Sequence, residues 1–214
     1  MGPSSHEKKS QAVVFDVFGT LLRIGVRKKP FLNLMKLARE MGRRPTPLDA
    51  RLLMTEDIGV VGAAELLGIR GELPQLAIIE KELFCELSTV ELFPDSLPAI
   101  RMLQAEGIQV AVCSNLAAPY AIPAKLLLPG LDAYCWSFAS GAIKPEPDIY
   151  TRVADQLNCP LSRLIMIGDT LEADCLAPRR CGMQGFHLIR NGRADQDTFT
   201  DLVSFAEFVL SSHR

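Results

Sequence analysis

The sequence lacks the features of membrane, secreted and nucleic-acid-binding proteins. No uninterrupted apolar run approaches the roughly 18 residues of a membrane helix, and the polar stretch Met1 to Gln11 has no signal-peptide core. A net charge of -2 offers neither a basic face for nucleic acid nor an acidic tail. We therefore expect a cytoplasmic protein that binds neither membrane nor nucleic acid, with a disordered tail over residues 1–11.

The cysteines show no disulfide or zinc-binding pattern. The sequence has six of them, with no CxxC pair and no Cys/His spacing, and most lie inside apolar runs. This distribution favours small buried thiols in a reducing compartment. The residues are Cys85, Cys113, Cys135, Cys159, Cys175 and Cys181.

Strand-like and helix-like patterns alternate along most of the chain. Ala12 to Asp16 is a short apolar strand, and from about Leu22 to Phe93 the apolar spacing is helical throughout. Beyond Phe93, strands that end in small or polar residues alternate with helices. The pattern predicts an α/β fold with a doubly wound, mainly parallel sheet and a helical insert after its first strand.

Three later segments are assigned from the same periodicities. Tyr134 to Ala139 is a candidate strand, Leu171 to Arg180 a candidate helix, and Phe199 to Leu210 the closing helix. The length of 214 residues suits one such domain with an inserted subdomain.

Polar side chains follow four of the predicted strands. Because the C-terminal ends of parallel strands meet at one edge of a sheet, residues far apart in sequence come together there. We expect one site that contains Asp16, Ser114, Asn115, Lys144, Asp169 and Asp174.

The residue types in this group suit phosphoryl chemistry. The carboxylate of Asp16 can attack phosphorus or carbon to form a covalent intermediate. Asp16 and Asp169, with Asp174 nearby, provide the oxygen ligands that Mg²⁺ prefers. Ser114 and its neighbouring N–H groups suit phosphate oxygens, and Lys144 balances negative charge.

Each of these signals alone has a plainer explanation. Asp169 could cap the following helix, Ser114 and Asn115 could form an ordinary turn, and Lys144 could be a surface lysine. The functional interpretation rests on four signals in one order, each at the appropriate end of a predicted element.

The four stretches together resemble the motifs of the haloacid dehalogenase superfamily. They are Phe15 to Leu21, Cys113 to Asn115, Ile143 to Tyr150, and Ile167 to Asp174. The resemblance implies a Rossmann-like core domain formed by residues 12–22 and 93–214. It also implies a helical cap formed by residues 23–92, which coincides with the insert.

The resemblance also implies a role for each matched side chain. Asp16 corresponds to the nucleophile, and Ser114 and Lys144 to the groups that stabilise charge. Ser114, Asn115 and Lys144 would bind substrate. Asp169 corresponds to the metal ligand, with Asp174 supporting it and Mg²⁺ as the cofactor.

Phe18 departs from the pattern of the phosphatases in this superfamily. Those enzymes have an aspartate two residues after the nucleophile, which protonates the leaving group and then activates water. Phe18 has no titratable group for this step, although its backbone carbonyl could still contact Mg²⁺. The sequence therefore predicts Mg²⁺-dependent phosphoester hydrolysis through an aspartyl-phosphate on Asp16, weakened or altered by Phe18.

Two other functions remain open. An aromatic residue at position 18, together with Tyr150, resembles the metal-independent 2-haloacid dehalogenases, in which the aspartate attacks carbon and halide leaves unprotonated. The acidic pair Asp169 and Asp174 argues for a cation and against that branch. A non-catalytic binding protein on the same scaffold is the third possibility. The expected partner is a small anionic substrate, and the sequence leaves the oligomeric state open.

Overall fold

The computed structural model describes residues 11–44, 46, 48–71, 74–193 and 197–212. The predicted disordered tail falls almost wholly outside these residues and stays a prediction. Within the described residues, no helix is both long and apolar enough to span a bilayer.

A six-stranded parallel sheet forms the centre of the protein. Its strand order is β5-β4-β1-β6-β7-β8, and every neighbouring pair is parallel. This arrangement confirms the predicted α/β class. The strands are β1 (Ala12–Phe15), β2 (Leu22–Ile24), β3 (Val90–Leu92), β4 (Gln109–Ser114), β5 (Ala133–Trp136), β6 (Leu164–Gly168), β7 (Gln184–Leu188) and β8 (Thr198–Phe199).

Helices lie against the sheet and form most of the segment between β1 and β4. Local signals set several of their ends. For example, Pro147 begins α8, and Asn158, with φ of 48°, ends it. The helices are α1 (Pro30–Glu40), α2 (Asp49–Thr55), α3 (Val60–Leu66), α4 (Pro74–Leu87), α5 (Ser96–Ala105), α6 (Ala121–Leu127), α7 (Ser137–Ser140), α8 (Pro147–Leu157), α9 (Ala177–Arg180) and α10 (Leu202–Ser212).

The sheet is buried on both faces. Strand β1 is fully buried, with Val13 and Phe15 in one hydrophobic cluster and Ala12 and Val14 in the other. Alternate side chains of a strand point to opposite faces, which explains why this short run is apolar at every position. Pairing with β4 on one side and β6 on the other places β1 in the interior of the sheet, and the first site residue, Asp16, follows it directly.

Helices α1 to α4 share a third hydrophobic cluster. Its fully or nearly fully buried members include Leu34, Leu53, Ala63 and Leu83, one from each helix. The helical spacing in this part of the sequence thus produces a packed layer of its own. The boundaries of a separate cap at residues 23–92 remain a prediction.

Four local assignments from the sequence need correction. The stretch from Leu22 to Phe93 is not helical throughout, because β2 and β3 pair as an antiparallel ribbon at its two ends. The predicted strand from Tyr134 ends at Trp136, where α7 begins.

The other two corrections concern helix starts. The helix from Leu171 to Arg180 begins as a wider π-helical turn over Leu171–Leu176, and the closing helix starts at Leu202 because β8 precedes it. These short elements depend on partners elsewhere in the chain, which local periodicity does not reveal.

Candidate active site

Asp16 lies at the C-terminal end of the central strand β1. Its backbone N–H donates to the carbonyl of Ile167 at 3.0 Å, so the chain still follows β6 at this residue. The residue as a whole is 7% exposed. Its neighbours β4 and β6 end beside it, and the polar residues after those strands therefore meet Asp16 as expected.

Ser114 and Lys144 both donate to the same oxygen of Asp16. The Ser114 hydroxyl lies 3.0 Å from Asp16 Oδ1, and Lys144 Nζ lies 2.7 Å from that atom. Lys144 Nζ also donates to Oδ1 of Asp174 at 2.6 Å. The lysine therefore bridges two aspartates that the sequence separates widely, and all four side chains are buried.

Burial and opposite charges set the ionisation of this group. Burial disfavours the charged form of Lys144, but Asp16 and Asp174 outweigh this effect and raise its pKa well above the usual value. Burial also raises the pKa of Asp174, where the charge of Asp16 acts in the same direction and Lys144 opposes both. The ammonium of Lys144 is thus retained as the counter-ion of the site.

Asp169 and Asp174 belong to the turn that follows β6. The Asp174 N–H donates to the Thr170 carbonyl at 2.8 Å, and Asp174 Oδ2 accepts from the Thr170 N–H at 3.0 Å. Asp169 is exposed, and its backbone N–H donates to Thr20 Oγ1 at 3.1 Å. Partial burial and the charge of Asp16 raise the pKa of Asp169.

Three carboxylates form a group suited to a divalent cation. One oxygen each from Asp16, Asp169 and Asp174 lies within 4.8 Å of the other two. All three are hard oxygen donors, and Lys144 balances only one of their charges. The donor set therefore fits Mg²⁺.

Two glycines make room for these carboxylates. A Cβ atom on Gly168 would lie 2.2 Å from Asp174 Oδ2 and 2.8 Å from Asp16 Cβ. Gly19 has φ of +101°, and a Cβ atom there would lie 2.1 Å from Asp169 Oδ2. Both glycines lie inside the four motifs, but their role in making room for carboxylates is visible only in the folded chain.

Asn115 contacts the loop that carries Lys144. Its side-chain amide donates to the Lys144 carbonyl at 2.7 Å and accepts from the Lys144 N–H at 2.7 Å. These two bonds position the lysine backbone. Binding of substrate by Asn115 remains a prediction.

Phe18 and Tyr150 have packing contacts in the structure. The ring of Phe18 meets the ring of Tyr120 edge to face, with centroids 5.7 Å apart. Tyr150 is fully buried and donates its hydroxyl to the Ala173 carbonyl at 2.6 Å. Tyr150 thus supports the turn that contains Asp174. The sequence offered no sign of this contact other than the position of Tyr150 in the third motif.

Two contacts across the helical segment were missed by the sequence analysis. Arg51 of α2 pairs with Glu146, two residues after Lys144. The buried carboxylate of Glu86 in α4 accepts from the N–H groups of Lys28 and Lys29 and from the Tyr120 hydroxyl. Each contact joins α2 or α4 to residues outside the four-helix layer, and spacing along the sequence carries no signal for such pairs.

The parallel sheet, with carboxylates and a buried lysine at its strand ends, defines a Rossmann-like α/β protein with a polar site at one edge of the sheet. A family model described as haloacid dehalogenase-like hydrolase matches residues 11–182. The chain belongs to this family of hydrolases, which confirms the resemblance seen in the four motifs.

Known proteins similar to this chain include phosphatases and a dehalogenase. A ribulose-1,5-bisphosphate 5-phosphatase of Halopiger xanaduensis is 30% identical over 102 residues, which are 46% of this chain and 42% of that protein. The chain thus matches less than half of the length of this relative.

Two solved structures share the fold. A 2-haloacid dehalogenase from Pseudomonas syringae is 16% identical with a TM-score of 0.64, over 95% of this chain and 99% of that one. A family enzyme from Bacteroides thetaiotaomicron, in complex with magnesium and inorganic phosphate, is 17% identical with a TM-score of 0.58. This match covers 86% of our chain and 96% of that enzyme.

Proposed function

We propose that this protein is a Mg²⁺-dependent phosphomonoester hydrolase that works through an aspartyl-phosphate on Asp16. One observation carries the proposal: Asp16, Asp169 and Asp174 converge within 4.8 Å while Lys144 supplies a single positive charge. Like charges this close in a partly desolvated crevice repel each other unless a cation compensates them. A family enzyme of the same fold binds magnesium and phosphate, which supports this function.

The first role of the surrounding residues is to orient the nucleophile. Ser114 and Lys144 hold Oδ1 of Asp16 at 3.0 and 2.7 Å, which restricts the carboxylate to one orientation. Such positioning lowers the entropic cost of attack on phosphorus. The same hydroxyl and ammonium groups then stabilise the negative charge on the transferred phosphoryl oxygens.

Asp16, Asp169 and Asp174, with the backbone carbonyl of Phe18, would hold the metal ion. When bound, Mg²⁺ supplies charge neutralisation and Lewis acidity at the phosphoryl oxygens. Asp174 is completely buried and already pairs with Lys144, so its carboxylate also keeps the lysine directed at Asp16. The exposed Asp169 leaves its side of the cluster open to solvent.

We also propose that helices α1 to α4 act as a cap over a small anionic substrate. Arg51 joins α2 to the loop after Lys144, and Glu86 joins α4 to Tyr120. A cap at residues 23–92 with a core at 12–22 and 93–214 fits these contacts. The similarity to a ribulose-bisphosphate phosphatase favours a phosphate ester, while its partial coverage leaves the esterified alcohol unassigned.

A thermal-shift measurement tests the site without a substrate. Beryllium fluoride mimics a phosphoryl group on an aspartate, and a ligand specific for the native state adds about 2.7 kcal/mol of stability at a hundredfold excess over Kd. We expect a cooperative rise in Tm with Mg²⁺ and beryllium fluoride together, which Asp16→Asn abolishes. A shift that is equal in wild type and Asp16→Asn would contradict the proposal.

Phe18 favours a second candidate, a metal-independent 2-haloacid dehalogenase. Halide leaves without a proton, so such an enzyme needs no acid at position 18. The hydroxyl of the buried Tyr150, however, donates to the Ala173 carbonyl. A reaction without a metal ion also does not require the cluster of Asp16, Asp169 and Asp174. Release of chloride or bromide from 2-haloacids that persists with a chelator would establish this alternative.

A further inference from the structure

An apolar cavity of about 310 Å³ lies between helices α1 and α2 and the residues that follow β1 and β4. It shares Phe18 and Asn115 with the surroundings of the site, since Phe18 lies two residues after Asp16 and Asn115 directly follows Ser114. The other walls come from α1, α2 and the start of the turn after β4. They include Phe31, Met35, Leu53, Met54 and Leu116.

The few polar groups in this cavity are mostly engaged elsewhere. The Asn115 amide bonds to the Lys144 backbone, and the Tyr120 hydroxyl donates to Glu86. Lys29, which is exposed, is the charged residue of the lining. The hydroxyl groups of a sugar bound here would lose their hydrogen bonds to water and would form few hydrogen bonds to the protein.

The size of the cavity matches an aromatic group. An apolar cavity of about 150 Å³ already accommodates benzene, so a cavity of about 310 Å³ suffices for a ring system of two rings. Phe18 and Tyr120 present aromatic surface there, and contacts between aromatic rings are favourable beyond the burial of apolar area.

The absence of an acid at position 18 also favours an aromatic alcohol as the leaving group. Without an acid at position 18, the oxygen that leaves phosphorus must depart as an anion. A phenol has a pKa near 10, as tyrosine does, whereas water and simple alcohols lie near 16. An aryl oxygen therefore leaves far more readily than the oxygen of a sugar.

We propose that the substrates are phosphate monoesters of aromatic alcohols, with the aryl group bound in this cavity. The inference rests on the proposed function. The Asp16 carboxylate attacks phosphorus, the bond from phosphorus to the aryl oxygen breaks, and the aryloxide takes a proton from water. A second water then displaces the Asp16 carboxylate from phosphorus and releases a proton, which neutralises the hydroxide left by the first water. The net reaction of one ester with one water therefore yields one phenol and one phosphate.

Three substrates, assayed with the Mg²⁺-loaded protein, distinguish the effect of the leaving group on the rate from the effect of binding in the cavity. They are 2-naphthyl phosphate, acetyl phosphate (a small substrate with a good leaving group), and ribose 5-phosphate. We expect kcat/KM for the naphthyl ester to exceed that for the ribose ester by about 100-fold or more. A preference for ribose 5-phosphate, with hydrolysis that depends on Asp16, would overturn the substrate class and leave the proposed function intact.

The variant Ala50→Trp tests the cavity itself. Ala50 lines the cavity yet lies on an exposed position of α2, so the larger side chain fills the space without disturbing a core. We expect kcat/KM for 2-naphthyl phosphate to fall about tenfold or more relative to kcat/KM for acetyl phosphate. Leu48→Trp, also exposed but outside the cavity, is the matched control.

Three further results would contradict the assignment of the cavity or the proposed function. Unchanged naphthyl turnover in Ala50→Trp, or equal losses in both tryptophan variants, would overturn the assignment of the cavity. If none of the three substrates is hydrolysed in an Asp16-dependent way, the proposed function fails, and this inference fails with it.

Discussion

Arg51 of helix α2 forms a bidentate ion pair with Glu146, two residues beyond Lys144. The guanidinium Nε and Nη2 atoms donate to the two carboxylate oxygens at 2.7 and 3.0 Å. Glu146 in turn accepts from the N–H of Ile143, the residue before the lysine, at 3.3 Å. The hydrogen bonds from Arg51 hold the pKa of Glu146 below its usual value. One ion pair thus links the helical segment to the loop that delivers the lysine.

Removal of this ion pair should affect turnover more than stability. For Arg51→Ala we expect a loss of about 0.5–1 kcal/mol in unfolding free energy, because both side chains are partly exposed. We expect kcat to fall about tenfold, since displacement of Lys144 disturbs the orientation of Asp16. Arg23→Ala, which breaks the exposed pair with Glu91, is the control. Equal kcat values in the two variants would show that the pair has no positioning role.

Substitution of Gly168 should damage the carboxylate site directly. In Gly168→Ala the new methyl group meets both Asp174 and Asp16 at distances that force one of them to move. We expect about 1–3 kcal/mol of destabilisation and loss of the Mg²⁺-dependent thermal shift. Gly59→Ala has open space around its Cβ position and serves as the control. A Gly168→Ala variant with a normal Mg²⁺ response would contradict the described geometry.

Lys144→Met should make the thermal stability of the protein depend more strongly on Mg²⁺. Without the ammonium, Asp16 and Asp174 lose their common counter-ion in a buried site. Breaking a buried ion pair in this way typically costs about 3–5 kcal/mol. We expect the Tm of the variant to drop and Mg²⁺ to restore more of it than in wild type, with Lys125→Met as an exposed control. A variant as stable as wild type without Mg²⁺ would argue against this charge balance.

Introduction of an acid at position 18 should raise the rate for poor leaving groups. Phe18→Asp supplies a proton donor, and general acid–base catalysis is worth about 10²–10⁴-fold. We expect the gain for alkyl phosphates and little gain for acetyl phosphate, whose leaving group needs no proton. Phe18→Asn removes the same contact with Tyr120 but adds no acid. An equal gain in the asparagine variant would refute the interpretation that an acid is missing.

The buried carboxylate of Asp49 should make stability depend on pH. Hydrogen bonds from Arg43 and Thr46 hold its pKa far below the usual value. A lowered folded-state pKa stabilises the protein above the unfolded pKa, and this contribution is lost as pH falls through the folded value. We expect Asp49→Asn to cost roughly 1.5–3 kcal/mol at pH 7 and progressively less at pH 3 and below.

Urea denaturation of wild type and variant at pH 7, 5 and 3 measures this difference. Asp57→Asn, at an exposed position, is the control for a general loss of negative charge. A cost of Asp49→Asn that is the same at all three pH values would show that the carboxylate does not carry the effect.

The sequence by itself determined the α/β class and the set of residues at the site. Strand β1 is apolar at every position because it is buried on both faces, and such a run is visible locally. Ser114 ends β4, and Asp16 and Asp169 directly follow β1 and β6; these strands end at the same edge of a parallel sheet, so the convergence of the three residues follows from topology. Helical periodicity likewise indicated α1 to α4, because each buries one face.

Only the tertiary structure decided which of these side chains contact one another. Lys144 meets Asp16 across 128 positions of sequence and binds Asp174 at the same time, and no local pattern encodes this bridge. The ribbon of β2 and β3, the ion pair of Arg51 and Glu146, and the apolar cavity also join distant segments. Such contacts arise from packing between elements, whereas periodicity reports only which face of one element is buried.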